Sequence, residues 1–165
     1  MRAVTAIGAV LCLLLLAAGC GYSSASRLPE GVQRLAVQVF RNETFPLRRD
    51  LEYDLARVLR QELELRSGAV IVERSRADAV LEGAILSFRE GVLAEGPGDT
   101  VRESSIDLTV LFRLVRSGDG SVVVESTVSD HAAFSVARGE TIGDARREAI
   151  REIAGRIIDE LEPWR

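Results

Sequence analysis

The chain has 165 residues, 28% of them charged, and a formal net charge of −4, a balance that argues against a nucleic-acid partner. All 21 basic residues are arginines, there is one histidine, and the two cysteines, Cys12 and Cys20, both lie near the start, so the rest of the chain has no thiol for a disulfide or a metal site. The length suits one ordinary domain with its own core.

Met1 and Arg2 precede an apolar run from Ala3 to Ala18, which closes on Ala17-Ala18-Gly19-Cys20. This reads as a lipoprotein signal peptide over residues 1–19; the run falls short of the ~20 apolar residues that span a bilayer core. Cleavage is expected between Gly19 and Cys20, the Cys20 thiol then carrying lipid. Each acyl chain contributes about 0.8 kcal/mol per buried CH₂, enough for a lasting anchor when several share one residue. Gly21 stands where an aspartate would favour the inner membrane, which points to the outer membrane. Ordinary secretion with Cys20 as a free thiol is the alternative, since Ala17 replaces the more usual leucine. Residues 20–31 are small and polar around Pro29 and read as a tether; a single domain is expected over 32–165.

Leu35 to Phe40 is apolar and β-branched enough to be a first, mostly buried strand. Thr44 then caps a helix with Pro46 in its first turn, and Leu47, Leu51, Leu55, Val58 and Leu59 follow at helical spacing. Its outer face carries Arg48, Asp50, Glu52, Arg57, Arg60 and Glu64, and Ser67-Gly68 ends it. Ala69 to Glu73 is a short strand. Ala79 to Phe88 is a longer one, in which Gly83 marks a bulge or a close backbone approach. Glu95-Gly96-Pro97-Gly98-Asp99 forms the tip of a hairpin.

Ile106, Leu108, Val110, Phe112 and Leu114 give the cleanest period of two in the chain. After the turn Ser117-Gly118-Asp119-Gly120, residues Val122, Val124, Val128, Ala132 and Phe134 continue it. Thr141 and Asp144 form a capping-box pattern, and Ala145, Ala149, Ile150, Ile153, Ile157, Ile158 and Leu161 mark a second helix. The expected fold is α+β: a two-layer sandwich with both helices on one face of a mostly antiparallel sheet of four to five strands.

Chemistry is sparse. His131 falls on the polar phase of its strand, leaving Ser104, Ser105 and Ser129 without an evident base, so a catalytic triad is not supported. No clustered metal ligands and no phosphate-cradling loop are visible, and no cofactor is expected. The remaining candidates are surface groups. Arg89, Arg102 and Arg116 near strand ends could meet phosphate, and the wet strand face carries Asp107, Thr109 and Arg113.

The order of several short motifs adds a resemblance. Cys20-Gly21-Tyr22, Leu28-Pro29-Glu30-Gly31-Val32, the Leu35–Phe40 strand with Asn42 and Thr44, and Leu51-Glu52 come first. Ala77-Asp78-Ala79-Val80-Leu81-Glu82-Gly83-Ala84-Ile85 and a closing helix near Glu162-Pro163-Trp164 follow. In this order the chain resembles the lipopolysaccharide-assembly lipoprotein family, LptE; secretion lipoproteins similar to the curli-export pore family are the second resemblance. The first implies a non-catalytic plug and assembly partner in the lumen of the large outer-membrane barrel LptD, binding lipopolysaccharide through arginines. Phe40, Asn42 and Thr44 match its motif, as partner-facing residues or as residues that shape the turn and cap the helix. An enzyme using His131 ranks last.

Overall fold

The computed structural model describes residues 28–96, 100–135 and 138–162; the expected signal peptide, Cys20 and most of the tether lie outside the described residues. In chain order the elements are β1 (Arg34–Val37), β2 (Arg41–Asn42), α1 (Leu51–Ser67), β3 (Val70–Ile71), a 3₁₀ turn (Arg74–Arg76), β4 (Ala79–Gly96), β5 (Thr100–Arg116), β6 (Val122–Ser135) and α2 (Ile142–Glu160). They build one sheet in the order β3-β1-β4-β5-β6, with β2 following β1 along β4. The short strands β1, β2 and β3 pair in parallel, while the long ones, β4, β5 and β6, form an antiparallel meander. The expected α+β sandwich with a mostly antiparallel sheet is what forms.

The period of two in β5 translates directly into packing. Ile106, Leu108, Val110, Phe112 and Leu114 are buried, and the residues between them point to the other, wetter face. Against the buried face lie Leu51, Leu55, Leu59 and Leu63 of α1 and Ala149, Ile150, Ile153 and Ile157 of α2, in one continuous core. Arg146 bonds Asp54 (2.9 Å) near the start of both helices, and Arg66 bonds Asp159 near their ends, so the helices lie side by side and run the same way. The expected capping box starts α2: Thr141 Oγ1 accepts from the Asp144 amide (3.2 Å) and the Thr141 amide donates to Asp144 Oδ2 (3.0 Å). The Thr141 hydroxyl and amide hold the Asp144 carboxyl below the usual carboxylate range.

Two expectations are corrected. The first helix begins at Leu51, behind an N-cap Asp50 at φ 66°, rather than near Thr44 and Pro46. Leu47 therefore lies outside the helix and is 62% exposed. Secondly, Leu35 to Phe40 is not one strand. Register partners run from Val37 opposite Leu81 to Arg41 opposite Ala84, so the β1–β2 side uses one residue more than β4. The surplus changes the phase: Val39 turns outward, 46% exposed, and Phe40 turns into the core. Gly83 is the matching concession on β4, as the sequence suggested. A Cβ there would sit 2.7 Å from Phe40 Cε2 and 2.2 Å from the Leu111 carbonyl oxygen, closer than any side chain tolerates.

Asp78, just ahead of β4, locks the start of β1. Its carboxylate accepts from the amides of Gln33 (3.1 Å) and Arg34 (2.7 Å) and from the Arg34 guanidinium (2.6 and 3.1 Å). The guanidinium bonds come first, and with the two amides they hold the Asp78 carboxyl far below the ordinary carboxylate range. A depressed folded-state pKa means that the stabilisation is present above the unfolded value, about 4, and fades as pH falls below it. Asp78→Asn is therefore expected to lower the thermal midpoint at neutral pH. Thermal melts across pH 7 to 2 should show the gap to wild type closing as the solution is acidified; a gap constant with pH would mean the carboxylate charge is not what holds β1.

Candidate functional site

Asn42 occupies the end of β2, where the chain must leave the sheet and start a helix whose N-cap, Asp50, makes no side-chain capping bond. Its side chain organises that passage. Nδ2 donates to the Arg48 carbonyl (2.6 Å) and to Glu52 Oε2 (2.7 Å), while Oδ1 accepts from the Thr44 amide (3.2 Å) and hydroxyl (2.7 Å). Thr44 Oγ1 in turn accepts from the Arg48 amide (2.9 Å). Phe40 and Thr44 are buried and Asn42 is half-buried. The Phe-x-Asn-x-Thr motif is thus a turn device whose polar atoms are spent internally.

Sequence periodicity placed Arg48 on a solvated helix face; instead it belongs to this turn. Its guanidinium lies 5.6 Å from the Phe88 ring centroid and forms an ion pair with Glu90 (2.9 Å), tying the β2–α1 loop to β4. The first turn of α2 reaches the same loop, through Arg146 Nη2 donating to the Arg49 carbonyl (3.1 Å). At this end of the sandwich the loop exposes Phe45 by 98% together with Leu47, and Val92 of β4 and Ile142 of α2 are also exposed. Beyond Glu90 the β4 backbone continues to Gly96, about 20 Å at ~3.3 Å per residue. β5 and β6 accompany it as far as Glu103 and Ser135, so the three-stranded meander runs on past the base where these apolar residues are exposed. Helical spacing places Leu47 on the buried stripe of the first helix, and no sequence signal singles out Phe45, Val92 or Ile142.

Apart from a small buried cluster of Ala36, Ala77 and Val80, the other sheet face is organised in polar cross-strand rows. Glu82, Arg113 and Glu125 face one another across β4, β5 and β6, with Arg113 bonded to Glu82 (2.7 Å). Together with Gln38, Val39 and Arg41 they line an open depression of about 630 Å³. Arg89, Asp107 and His131 form another row, in which His131 Nδ1 and Asp107 Oδ1 lie 2.8 Å apart. The nearby Thr109 and Ser129 hydroxyls are 3.0 Å apart. This pairing of His131 with a carboxylate leaves Ser129 bonded to Thr109 rather than to the ring.

The three arginines singled out for phosphate do not converge. Arg89 stands opposite Asp107 in mid-strand. Arg102 lies near the start of β5 and Arg116 at its far end, so at ~3.3 Å per residue they are about 46 Å apart; the Arg102 side chain lies outside the described residues. Arg116 Nη1 reaches the Glu30 carbonyl (3.5 Å), which puts it where the tether joins the domain. Among the described residues no group of three or more potential metal ligands occurs.

Solved structures share this fold at low identity. Lipoprotein B from Nitrosomonas europaea aligns with a TM-score of 0.55 and 14% identity, over 84% of this chain and 86% of that one. The PelC dodecamer from Paraburkholderia phytofirmans aligns at 0.53 and 17%, over 80% and 90%. A minor lipoprotein from Acinetobacter baumannii aligns at 0.52 and 19%, over 81% and 92%. At such identities these likenesses establish the fold alone. No curated protein matches the chain.

An Asn42→Asp substitution keeps the acceptor but loses both donors and sets a carboxylate against Glu52. Denaturant unfolding is expected to show a loss of about 2–4 kcal/mol, part of it restored in Asn42→Asp/Glu52→Gln. Equal loss with and without the Glu52 change would contradict the bonding described. The remaining comparison settles kinship: the family model of the lipopolysaccharide-assembly family LptE matches residues 32–162, spanning both motifs and both helices, and the chain belongs to that family.

Proposed function

We propose that the protein, anchored in the outer membrane through a lipid on Cys20, is the plug and assembly partner of an LptD-type barrel in lipopolysaccharide assembly. Family membership supports the lipopolysaccharide role. The observation that carries the finer reading is the Phe45 loop, exposed at the end of the domain opposite the tether. The tether joins beside Arg116, where Glu30 and the start of β1 lie. The opposite end bears the exposed Phe45, Leu47, Val92 and Ile142 and the far end of the β4–β5–β6 meander, while Leu65, Val70 and Val122 are exposed at the tether end.

An apolar rim on a rigid sandwich, held at the far end by a tether, suits insertion into a protein lumen. Arg89 and Arg102, on the strands of the hairpin, are assigned to lipopolysaccharide phosphates through charge-assisted hydrogen bonds. Arg116 sits at the wrong end for that task and holds the tether junction.

The test is a detergent pull-down of the tagged lipoprotein from its native outer membrane. A stoichiometric large barrel is expected with the wild type. With Phe45→Asp/Leu47→Asp, recovery of the barrel should fall on the order of tenfold or more, while the thermal midpoint of the isolated lipoprotein is unchanged because both side chains are exposed. A closed ring of many copies with no barrel would overturn the proposal in favour of a secretion-pore subunit; PelC, of the same fold, is a dodecamer.

A further inference from the structure

The depression on the polar sheet face lies where the β1–β2 side changes phase. Val39, turned outward by the surplus residue, lines it together with Leu111 of β5, beside Gly83, which carries no side chain. Val39 is exposed and Leu111 half-buried. A face organised in polar rows is thus interrupted by about 630 Å³ of open space with aliphatic surface in its lining.

The charges around this space are unevenly matched. Arg113 turns to Glu82, through Nη2 (2.7 Å) and Nε (2.9 Å), and Arg74 approaches the same carboxylate at 4.0 Å. Arg41 pairs with Glu43 (3.1 Å), which is not part of the lining. Glu125 is the register partner of Arg113 on β6 and is exposed. Among the described residues no cation or donor bonds its carboxylate. The cations therefore gather on the β4 side, and the β6 side keeps an unanswered negative charge at the rim.

Aliphatic surface and a lone carboxylate complement a basic side chain, whose methylene stem packs on apolar groups while its charged head makes a charge-assisted hydrogen bond. A free anion is a poor match, because Arg41 and Arg113 are already engaged by carboxylates. The lumen wall of an outer-membrane barrel is polar, since lumen-facing and lipid-facing residues alternate along its strands, and the sides of an inserted plug face that wall.

We propose that the depression lined by Val39, Leu111 and Glu125 receives a lysine or arginine side chain from the lumen wall of the barrel. The inference rests on the barrel reading and adds a second contact to it, on the sheet face instead of at the Phe45 loop. The two contacts differ in character: the loop offers apolar surface, the depression a matched charge. An ion pair on one face can form in only one rotational setting of the plug, so this contact supplies orientation and specificity more than affinity.

The test places photoreactive benzoylphenylalanine at Val39 or at Phe45 of the full-length lipoprotein in its native outer membrane. Both positions are exposed, and an adduct with the barrel is expected from each. Adding Glu125→Arg should cut the Val39 adduct on the order of tenfold while the Phe45 adduct persists. Glu125→Gln, which removes the charge and keeps the shape, should cut it less, and Glu64→Arg, at an exposed position of α1 outside the depression, should leave it unchanged. A Val39 adduct indifferent to both Glu125 changes would overturn the inference, as would a Val39 adduct with lipopolysaccharide in place of the barrel. A barrel adduct from Phe45 and none from Val39 would overturn it alone; none from either position would overturn the barrel reading with it.

Discussion

The approach of Phe40 to Gly83 is the constraint on which the rest of the sandwich depends. One surplus residue between β1 and β2 turns Phe40 into the core, and the ring can enter only because β4 offers no Cβ at that point. With Phe40 in place, β2 resumes pairing with β4 in a new phase, the Glu43 amide reaching the Ile85 carbonyl (2.9 Å). Asn42 is then delivered to the spot where its four hydrogen bonds can hold the loop ahead of α1. The two motifs that carried the family resemblance are thus two halves of one joint. Their positions are mechanically linked: a side chain at 83 would meet the Phe40 ring.

From that joint follows the arrangement of the surface. The loop held by Asn42 presents Phe45 and Leu47 to solvent instead of to the core, and Arg48, drawn back over Phe88, pins it to Glu90. The apolar end of the domain is therefore a by-product of the same device that sets the sheet. At the other end Asp78 gathers the backbone of Gln33 and Arg34, so the tether leaves from a fixed point. The proposed plug role draws on this combination of a defined attachment and an exposed apolar loop at the far end.

How much of this could be read from the residues depends on the kind of signal. The β5 alternation and the α2 stripe were legible because each has a single buried face, so periodicity and burial coincide. Gly83 was legible as a close approach, though not its partner. The start of α1 was not: Thr44 and Pro46 look like an N-cap and first helical turn, and only the hydrogen bonds of Asn42 and Thr44 reveal a loop that postpones the helix to Leu51. Likewise Arg48 reads as a helix-surface charge until the fold sets it over Phe88. The spread of Arg89, Arg102 and Arg116 along strands of 17 and 18 residues was invisible in sequence, since strand lengths, not residue types, decide their separation.

That Phe40 and Gly83 form a single joint can be measured by a double-mutant cycle of Phe40→Leu and Gly83→Ala, read by chemical denaturation. Both single changes should destabilise, and the double mutant should fall short of their sum by about 1 kcal/mol or more, because the smaller side chain at 40 relieves part of the clash created at 83. Strict additivity would mean that the two positions act separately, and would contradict the joint as the element that sets the sandwich.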